Sequence, residues 1–230
     1  GNFKDMLTDR TANTMMSEFL AEKIRGRVND PILAEKLIPK DHGFGTRRVP
    51  QETGYYETYN KENVQLIDIN ENPILEIIPE GIRTKEGDIE LDIIIYATGF
   101  DAITGAFERI DIKGINGKEL RELWDDGPVT YLGVLVADFP NMFICMGPHS
   151  GLGNYTRTAE YSVEWVSDLI SHAVQNNKRN VQTSELAMDE WTNHVLSLGE
   201  GLLMNEIGSW MTGVNRNLAH KRKPRIMRYS

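Results

Sequence analysis

Apolar and polar positions alternate at helical spacing near the start of the chain. Between residues 11 and 28, Met16, Phe19, Leu20 and Ile24 recur with Glu18, Glu22 and Lys23 among them, the pattern of an amphipathic helix. Asn29-Asp30-Pro31 breaks it. One or two further helical turns are expected over 32–38, closed by Pro39, and then a loop over 40–53. Strands are predicted at 64–69, 74–78, 82–84 and 89–96, with Glu86-Gly87-Asp88 as a turn. Residues 111–124 read as short mixed structure around Asn116-Gly117, and 142–146 as another strand, followed by a glycine-rich loop over 147–154. The clearest helix covers about 158–176, where Tyr161, Trp165, Leu169 and Ala173 repeat at i+4 beside Val166 and Ile170. A second covers about 184–198, with capping residues at Thr183-Ser184 and a stop at Gly199.

One segment stands out from this pattern. Leu91-Asp-Ile-Ile-Ile-Tyr-Ala-Thr-Gly-Phe-Asp101 is a run of apolar, β-branched residues that ends abruptly. Such a run reads as a strand buried on both faces, as in a parallel sheet. The Thr98-Gly99 step then falls at the carboxyl end of the strand, where open α/β sheets bind ligands. Glycine at that point lets a cofactor approach the main chain. A buried strand ending in an ordinary glycine turn is the plainer alternative.

Composition narrows the function classes. A length of 230 residues allows one large or two small domains, and a hydrophobic fraction of 40% is slightly low for a self-sufficient globular chain. A net charge of −9 argues against general nucleic-acid binding, which needs a basic face. No apolar stretch reaches the length of a membrane span. A single cysteine excludes an internal disulfide framework and fits a reducing, cytoplasmic setting. Cys145, inside an apolar run, is expected to be a small buried side chain. The five histidines show no metal-ligand spacing, and His149-Ser150 has no acid placed to complete a hydrolytic triad.

Several short motifs occur in a fixed order: Gly45-Thr-Arg-Arg48, Gly54-Tyr-Tyr-Glu-Thr-Tyr-Asn60, Asn63-Val64, Ala97-Thr-Gly-Phe-Asp-Ala102, Tyr131-Leu-Gly133, Phe139-Pro-Asn141, Gly147-Pro148, Glu164-Trp165 and Ser209-Trp-Met-Thr-Gly-Val-Asn215. From about Pro31 to Asn215 this order resembles the carboxyl-terminal half of the flavin-dependent Baeyer–Villiger monooxygenases, the cyclohexanone- and phenylacetone-type enzymes. Members of that family begin with a Gly-x-Gly-x-x-Gly strand–turn–helix for FAD and carry a second for NADPH. The nearest matches here are broken: Gly43-Phe-Gly45 runs into Arg47-Arg48, and Gly151-Leu-Gly153 has Thr156 where the third glycine belongs. The resemblance therefore implies an α/β, partial two-dinucleotide-binding-domain flavoprotein fold that lacks both amino-terminal Rossmann fingerprints. Residues 1–95 would be the last part of the NADPH-binding domain and 96–230 the returning part of the FAD-binding domain. A fragment, a truncated product or one half of a split protein is expected, with the missing amino-terminal half in the same or a separate chain.

The same resemblance implies cofactors, substrates and residue roles. FAD and NADPH would serve the insertion of oxygen from O2 beside a ketone, giving an ester or lactone. Arg48 matches the family's catalytic arginine, and Arg47 a supporting or cofactor-phosphate charge. A guanidinium stays charged at any working pH and bonds developing oxyanions in a forked geometry. Thr98, Gly99 and Phe100, the loop residues Gly147, Pro148 and Asn154, and Trp210 with Asn215 match cofactor-facing positions. Two stretches depart from the family pattern. Tyr155-Thr-Arg-Thr158 replaces proline- and serine-rich versions, and Arg216-Asn-Leu-Ala-His220 replaces a proline–glycine turn. Two other readings stay open: oxidation at sulfur or nitrogen, and a non-catalytic binding module.

Overall fold

The computed structural model describes residues 4–151, 153–214 and 223–229. The chain forms two compact units, Gly1–Gly99 and Phe100–Ser230, and each is described by itself.

The first unit starts with helix α1, Arg10–Arg25. The Asp9 carboxylate accepts from the Ala12 amide at 2.8 Å, and Lys23 and Arg25 lie in the last turn, where they complement the helix dipole. Asp30 caps α2, Pro31–Leu37, by accepting from the amides of Ile32 and Leu33, with proline at the position where a missing amide costs nothing. Ala21, Ile24 and Val28 pack on Ala34 and Ile38, with Leu33, Leu37 and Tyr56 closing the cluster. Each aliphatic side chain buried there contributes roughly 1.5–3 kcal/mol. The inward face of α1 is rotated from the expected one. It runs Asn13, Ala21, Ile24, while Met15 and Phe19 are exposed.

A short helix α3, Tyr55–Thr58, is tied back to α1 through Arg27. That guanidinium donates to both Glu57 oxygens at 2.6 and 2.7 Å and to Glu52 at 2.6 Å, and lies 5.0 Å from the centroid of Tyr56. These bonds hold both carboxyls below the usual carboxylate range and raise the guanidinium. Next come β1 (Ile74–Ile78), β2 (Gly81–Thr84) and β3 (Gly87–Glu90), an antiparallel sheet in the order β1-β2-β3. The β2–β3 turn is Lys85-Glu86, one residue earlier than the sequence suggests, because Thr84 pairs with Gly87.

The second unit packs Leu120, Trp124, Val136, Ala137, Phe139 and Ile144 against Met188. Short helices α4 (Gly105–Glu108) and α5 (Leu120–Leu123) bring Phe107 edge-on to Trp124, with ring centroids 5.2 Å apart. The Trp124 indole donates to Val129 O at 3.0 Å. Helix α6 spans Tyr155–Gln175 and helix α7 Glu185–Leu198. Ser184 caps α7 through the Ala187 amide and Gly199 ends it, as the sequence predicts. Met188, Thr192 and Val195 face inward; the Thr192 hydroxyl lies 3.2 Å from both the amide and the carbonyl of Thr130.

Three expected strands are absent among the described residues. Residues 64–68 are irregular, and 142–146 form no ladder, with isolated backbone bonds such as Met142 N to Phe139 O and Ile144 N to Val134 O. The third is 91–96. β3 stops at Glu90; the Leu91 amide still donates to Glu80 O at 2.9 Å, and the run beyond it joins no ladder, with Ile93, Ile95 and Tyr96 at 78, 84 and 69% exposure. The physical reason is common to all three. A ladder needs a neighbour, and a strand buried on two faces needs a layer on each. The described residues of each unit supply neither. Helix α6 shows the same deficit: only Ala173 is buried, while Tyr161, Trp165 and Ile170 remain open. Cys145 is also exposed, because the run around it turns and is not a buried strand.

An unpaired apolar ribbon of this kind templates pairing with another chain. The 230-residue chain alone is expected to self-associate as its concentration rises, on gel filtration with light scattering. Replacing Ile93 and Ile95 by Lys should shift it toward monomer without lowering the melting temperature. Unchanged association would place the contact elsewhere.

Candidate active site

The paired arginines sit on a loop held from behind by α1. Gly45 has φ +74°, in the left-handed region that glycine occupies freely. Thr46 is buried, and its hydroxyl and amide turn back to Gly43 O at 2.8 and 3.3 Å. The Asn13 amide, on the buried face of α1, donates to Phe44 O at 2.8 Å and Met6 O at 2.9 Å. The Ser17 hydroxyl accepts from the Phe44 amide at 3.0 Å and donates to Asn13 O at 2.9 Å. A side chain at Gly43 would put its Cβ 2.0 Å from Asn13 Oδ1, so the loop approaches the helix as closely as glycine permits.

The two guanidiniums differ. Arg47 reaches Asp41 with Nη2 at 3.0 Å, while its Nε is buried without a hydrogen-bond partner. Asp41 also takes His42 Nδ1 at 2.6 Å, and that bond, with the Arg47 charge beside it, holds the carboxyl below its ordinary value. Arg48 is exposed, and no ion pair holds it among the described residues.

The other candidates lie on other segments of the chain. Thr98, Gly99 and Phe100 follow the unpaired ribbon and are exposed, Gly99 at φ +83° with nothing within 4 Å of an added Cβ. In the second unit Gly147 and Pro148 are buried. A Cβ on Gly147 would lie 2.4 Å from Gly133 O, and one on Gly133 2.6 Å from Ser150 N, so these glycines serve a crossing of two backbones. Asn154 caps α6, accepting from the Arg157 amide at 3.3 Å and the Thr156 hydroxyl at 2.7 Å. Trp210 is 39% exposed on a single 3₁₀ turn, Trp210–Thr212. That turn is organised by the buried Thr212 hydroxyl, which lies 2.9 Å from Ile207 O and 3.1 Å from the Ser209 amide. Asn215 lies outside the described residues.

No protein-family model matches the chain. Individual relatives do. It is 46% identical over 210 residues to 2-oxo-Delta(3)-4,5,5-trimethylcyclopentenylacetyl-CoA monooxygenase of Pseudomonas putida, covering 90% of this chain and 38% of that protein. It is 39% identical over 214 residues to cyclohexanone 1,2-monooxygenase of Acinetobacter sp., covering 93% and 39%. A crystal structure of OTEMO in complex with FAD and NADP superposes with a TM-score of 0.88 at 43% identity, over 99% of this chain and 42% of that one. The chain is a homologue of the Baeyer–Villiger monooxygenases. It spans about two fifths of the length of the relatives it matches.

Against that family the Gly45-Thr-Arg-Arg48 loop is the part whose geometry is most readily tied to chemistry, since it presents one braced and one uncommitted cation. Asn13, Ser17 and Asp41 were not legible as site residues. The available signal was faint: a polar pair at i, i+4 on a helix that turns its polar side toward a Gly-x-Gly loop.

His149 is a second feature that sequence alone leaves undefined. It is fully buried, with φ +68°, its amide bonded to Met227 O at 2.8 Å and its Nδ1 3.3 Å from the Thr130 hydroxyl. Burial, helped by the nearby charge of Arg225, pushes its pKa from 6.5 down to about 4. The folded protein thus resists a proton that the unfolded chain accepts. Its contribution is intact above the unfolded value of 6.5 and is lost as pH falls toward 4. Chemical unfolding at a series of pH values should show about 2 kcal/mol lost between pH 7 and 5, above the range where carboxylates dominate. In His149→Asn, which tolerates the left-handed backbone, that slope should flatten even if the protein is less stable throughout. An unchanged slope would assign it to other groups.

Proposed function

We propose that this chain is the arginine-bearing part of an FAD- and NADPH-dependent monooxygenase that inserts oxygen from O2 next to a ketone carbonyl, giving an ester or lactone. The observation that carries this reading is Arg48: an exposed guanidinium without an ion pair among the described residues, on a loop whose backbone is fixed, in a chain homologous to ketone monooxygenases. The first unit would be the end of the NADPH-binding domain and the second the returning part of the FAD-binding domain. A single cysteine in 230 residues, with no internal disulfide to form, fits a reducing, cytoplasmic setting.

The residues fit the cofactors in part. The open main chain at Thr98-Gly99 suits close approach of a flat group, and Arg47 and Arg48 suit anionic ones. Gly147, Pro148 and Asn154, by contrast, are occupied with the second unit's own packing and capping. FAD, reduced by NADPH, would supply the redox chemistry when bound. The chain's own work is positional and electrostatic. Arg48 offers a permanent positive charge to negative charge developing on the substrate carbonyl oxygen, and its fork can hold two oxygens at once. Arg47, braced by Asp41, offers a second charge to a cofactor phosphate. Trp210 offers an indole face and donor at the surface for the nicotinamide cofactor. The uncovered ribbon from Leu91 to Phe100 and the open face of α6 are the surfaces that the remaining length of the flavoprotein would cover, in the same or a separate chain.

The test joins this chain to the remaining length of such a monooxygenase. Arg48→Ala should lower ketone oxygenation at least about a hundredfold, on the scale of a lost oxyanion donor, while NADPH oxidation continues. Arg48→Lys should fail as well, since an ammonium lacks the fork. Gas chromatography of products alongside NADPH consumption reads both. Normal lactone yield from the alanine variant would remove Arg48 from the chemistry.

A further inference from the structure

Helices seldom bury polar side chains unless something across the interface needs them. Asn13 is 5% exposed on α1, and Ser17 follows one turn later on the same face. Each makes one hydrogen bond to the Phe44 backbone, outside its own helix. Asn13 Nδ2 donates to Phe44 O and to Met6 O, and Ser17 Oγ accepts from the Phe44 amide while donating to Asn13 O. Both polar groups of the Phe44 backbone are therefore taken by α1, three residues before the first arginine. Around them the loop has no slack. Gly43 lies too close to Asn13 for a Cβ, Gly45 holds φ +74°, and Thr46 is locked onto Gly43 O.

We propose that Asn13 and Ser17 are positioning residues for the Arg47-Arg48 pair, forming a polar buckle that fixes the loop from α1 while leaving the outer guanidinium uncommitted. The physical case is one of division. A cation that must meet a developing anion cannot be held by a carboxylate without being neutralised. Its backbone can be held instead. Two neutral side chains do so here, leaving the charge of Arg48 intact, and Asp41 braces only the neighbouring Arg47. The loop's ordering is a property of this chain; its use in catalysis rests on the function proposed above.

Amide hydrogen exchange on the full 230-residue chain separates the two. Asn13→Ala and Ser17→Ala should each speed exchange at Phe44 and Thr46 by on the order of tenfold, the equivalent of one lost hydrogen bond. Exchange at Ala34 in α2 and across β2–β3 should stay unchanged. Ser17→Thr, which keeps the hydroxyl, should restore protection, and Asn13→Asp should not, because a carboxylate cannot donate to two carbonyls. Uniform acceleration throughout the first unit would mean that these residues merely stabilise the fold, and unchanged exchange at Phe44 would mean that no buckle exists; either overturns the proposal. In the completed monooxygenase, Ser17→Ala should lower oxygenation relative to NADPH consumption, and Ser17→Thr should recover it. If exchange responds locally but oxygenation does not, the buckle stands and the role given to the arginines falls.

Discussion

An apolar segment with two faces and two open edges cannot satisfy itself. Leu91-Asp-Ile-Ile-Ile-Tyr96 leaves Ile93 and Ile95 almost fully in water, and its backbone groups find no ladder. At roughly 25 cal/mol for each Å² of apolar surface, covering such residues is worth a few kcal/mol, and the ladder bonds add to it. The same kind of deficit recurs in β1, where Ile74, Leu75 and Ile77 are exposed, and in helix α6, which buries only Ala173. What each unit does bury is modest and local: five small aliphatic side chains in one, a Trp124-centred cluster in the other.

Helices and the local hairpin strands β1 and β2 were legible in the sequence, and strands that need a distant neighbour were not, for one reason. A helix closes its hydrogen bonds within itself, so Asp9, Asp30 and Ser184 announce real starts, and Gly199 a real stop. A strand exists only with its neighbour. The runs at 64–69, 91–96 and 142–146 carry the composition of strands but lack partners among the described residues, whereas β2 and β3 are joined by a two-residue turn and pair locally. The rotated face of α1 has a different origin. Apolar spacing pointed to Met16 and Phe19, but the helix turns Asn13 inward because the Gly43–Thr46 backbone offers it hydrogen bonds. Periodicity counts hydrophobic residues and cannot see a polar contact made with a distant part of the chain.

The candidate site was legible to a similar, limited degree. The ordered motifs brought Arg48 forward, and the homology to ketone monooxygenases supports that family reading. The loop glycines were harder. Gly147 matches a cofactor-facing position in sequence, and in the structure its missing Cβ also makes room for Gly133 O. A glycine required by a ligand and one required by a crossing chain look identical in one dimension. The same holds for Asn154, whose amide is spent on the first turn of α6.

The chain handles charge in two ways, and each follows from solvent. In the first, cations stay in water: Arg27 is shared by Glu52 and Glu57, Arg47 pairs with Asp41, and Arg48 has no ion pair among the described residues. In the second, His149 is kept neutral by burial beside Thr130 and close to Arg225. A neutral histidine there escapes the larger cost of a buried charge, although its buried Nε2 has no hydrogen-bond partner, and its loop is stitched to Met227 and Tyr229. An exposed cation, conversely, can act on a partner only if its backbone does not wander, since a charge gains little from a partner it meets part of the time. Fixing the backbone with neutral donors while leaving the charge unpaired meets both demands. The Gly43–Arg48 loop over Asn13 and Ser17 has that construction.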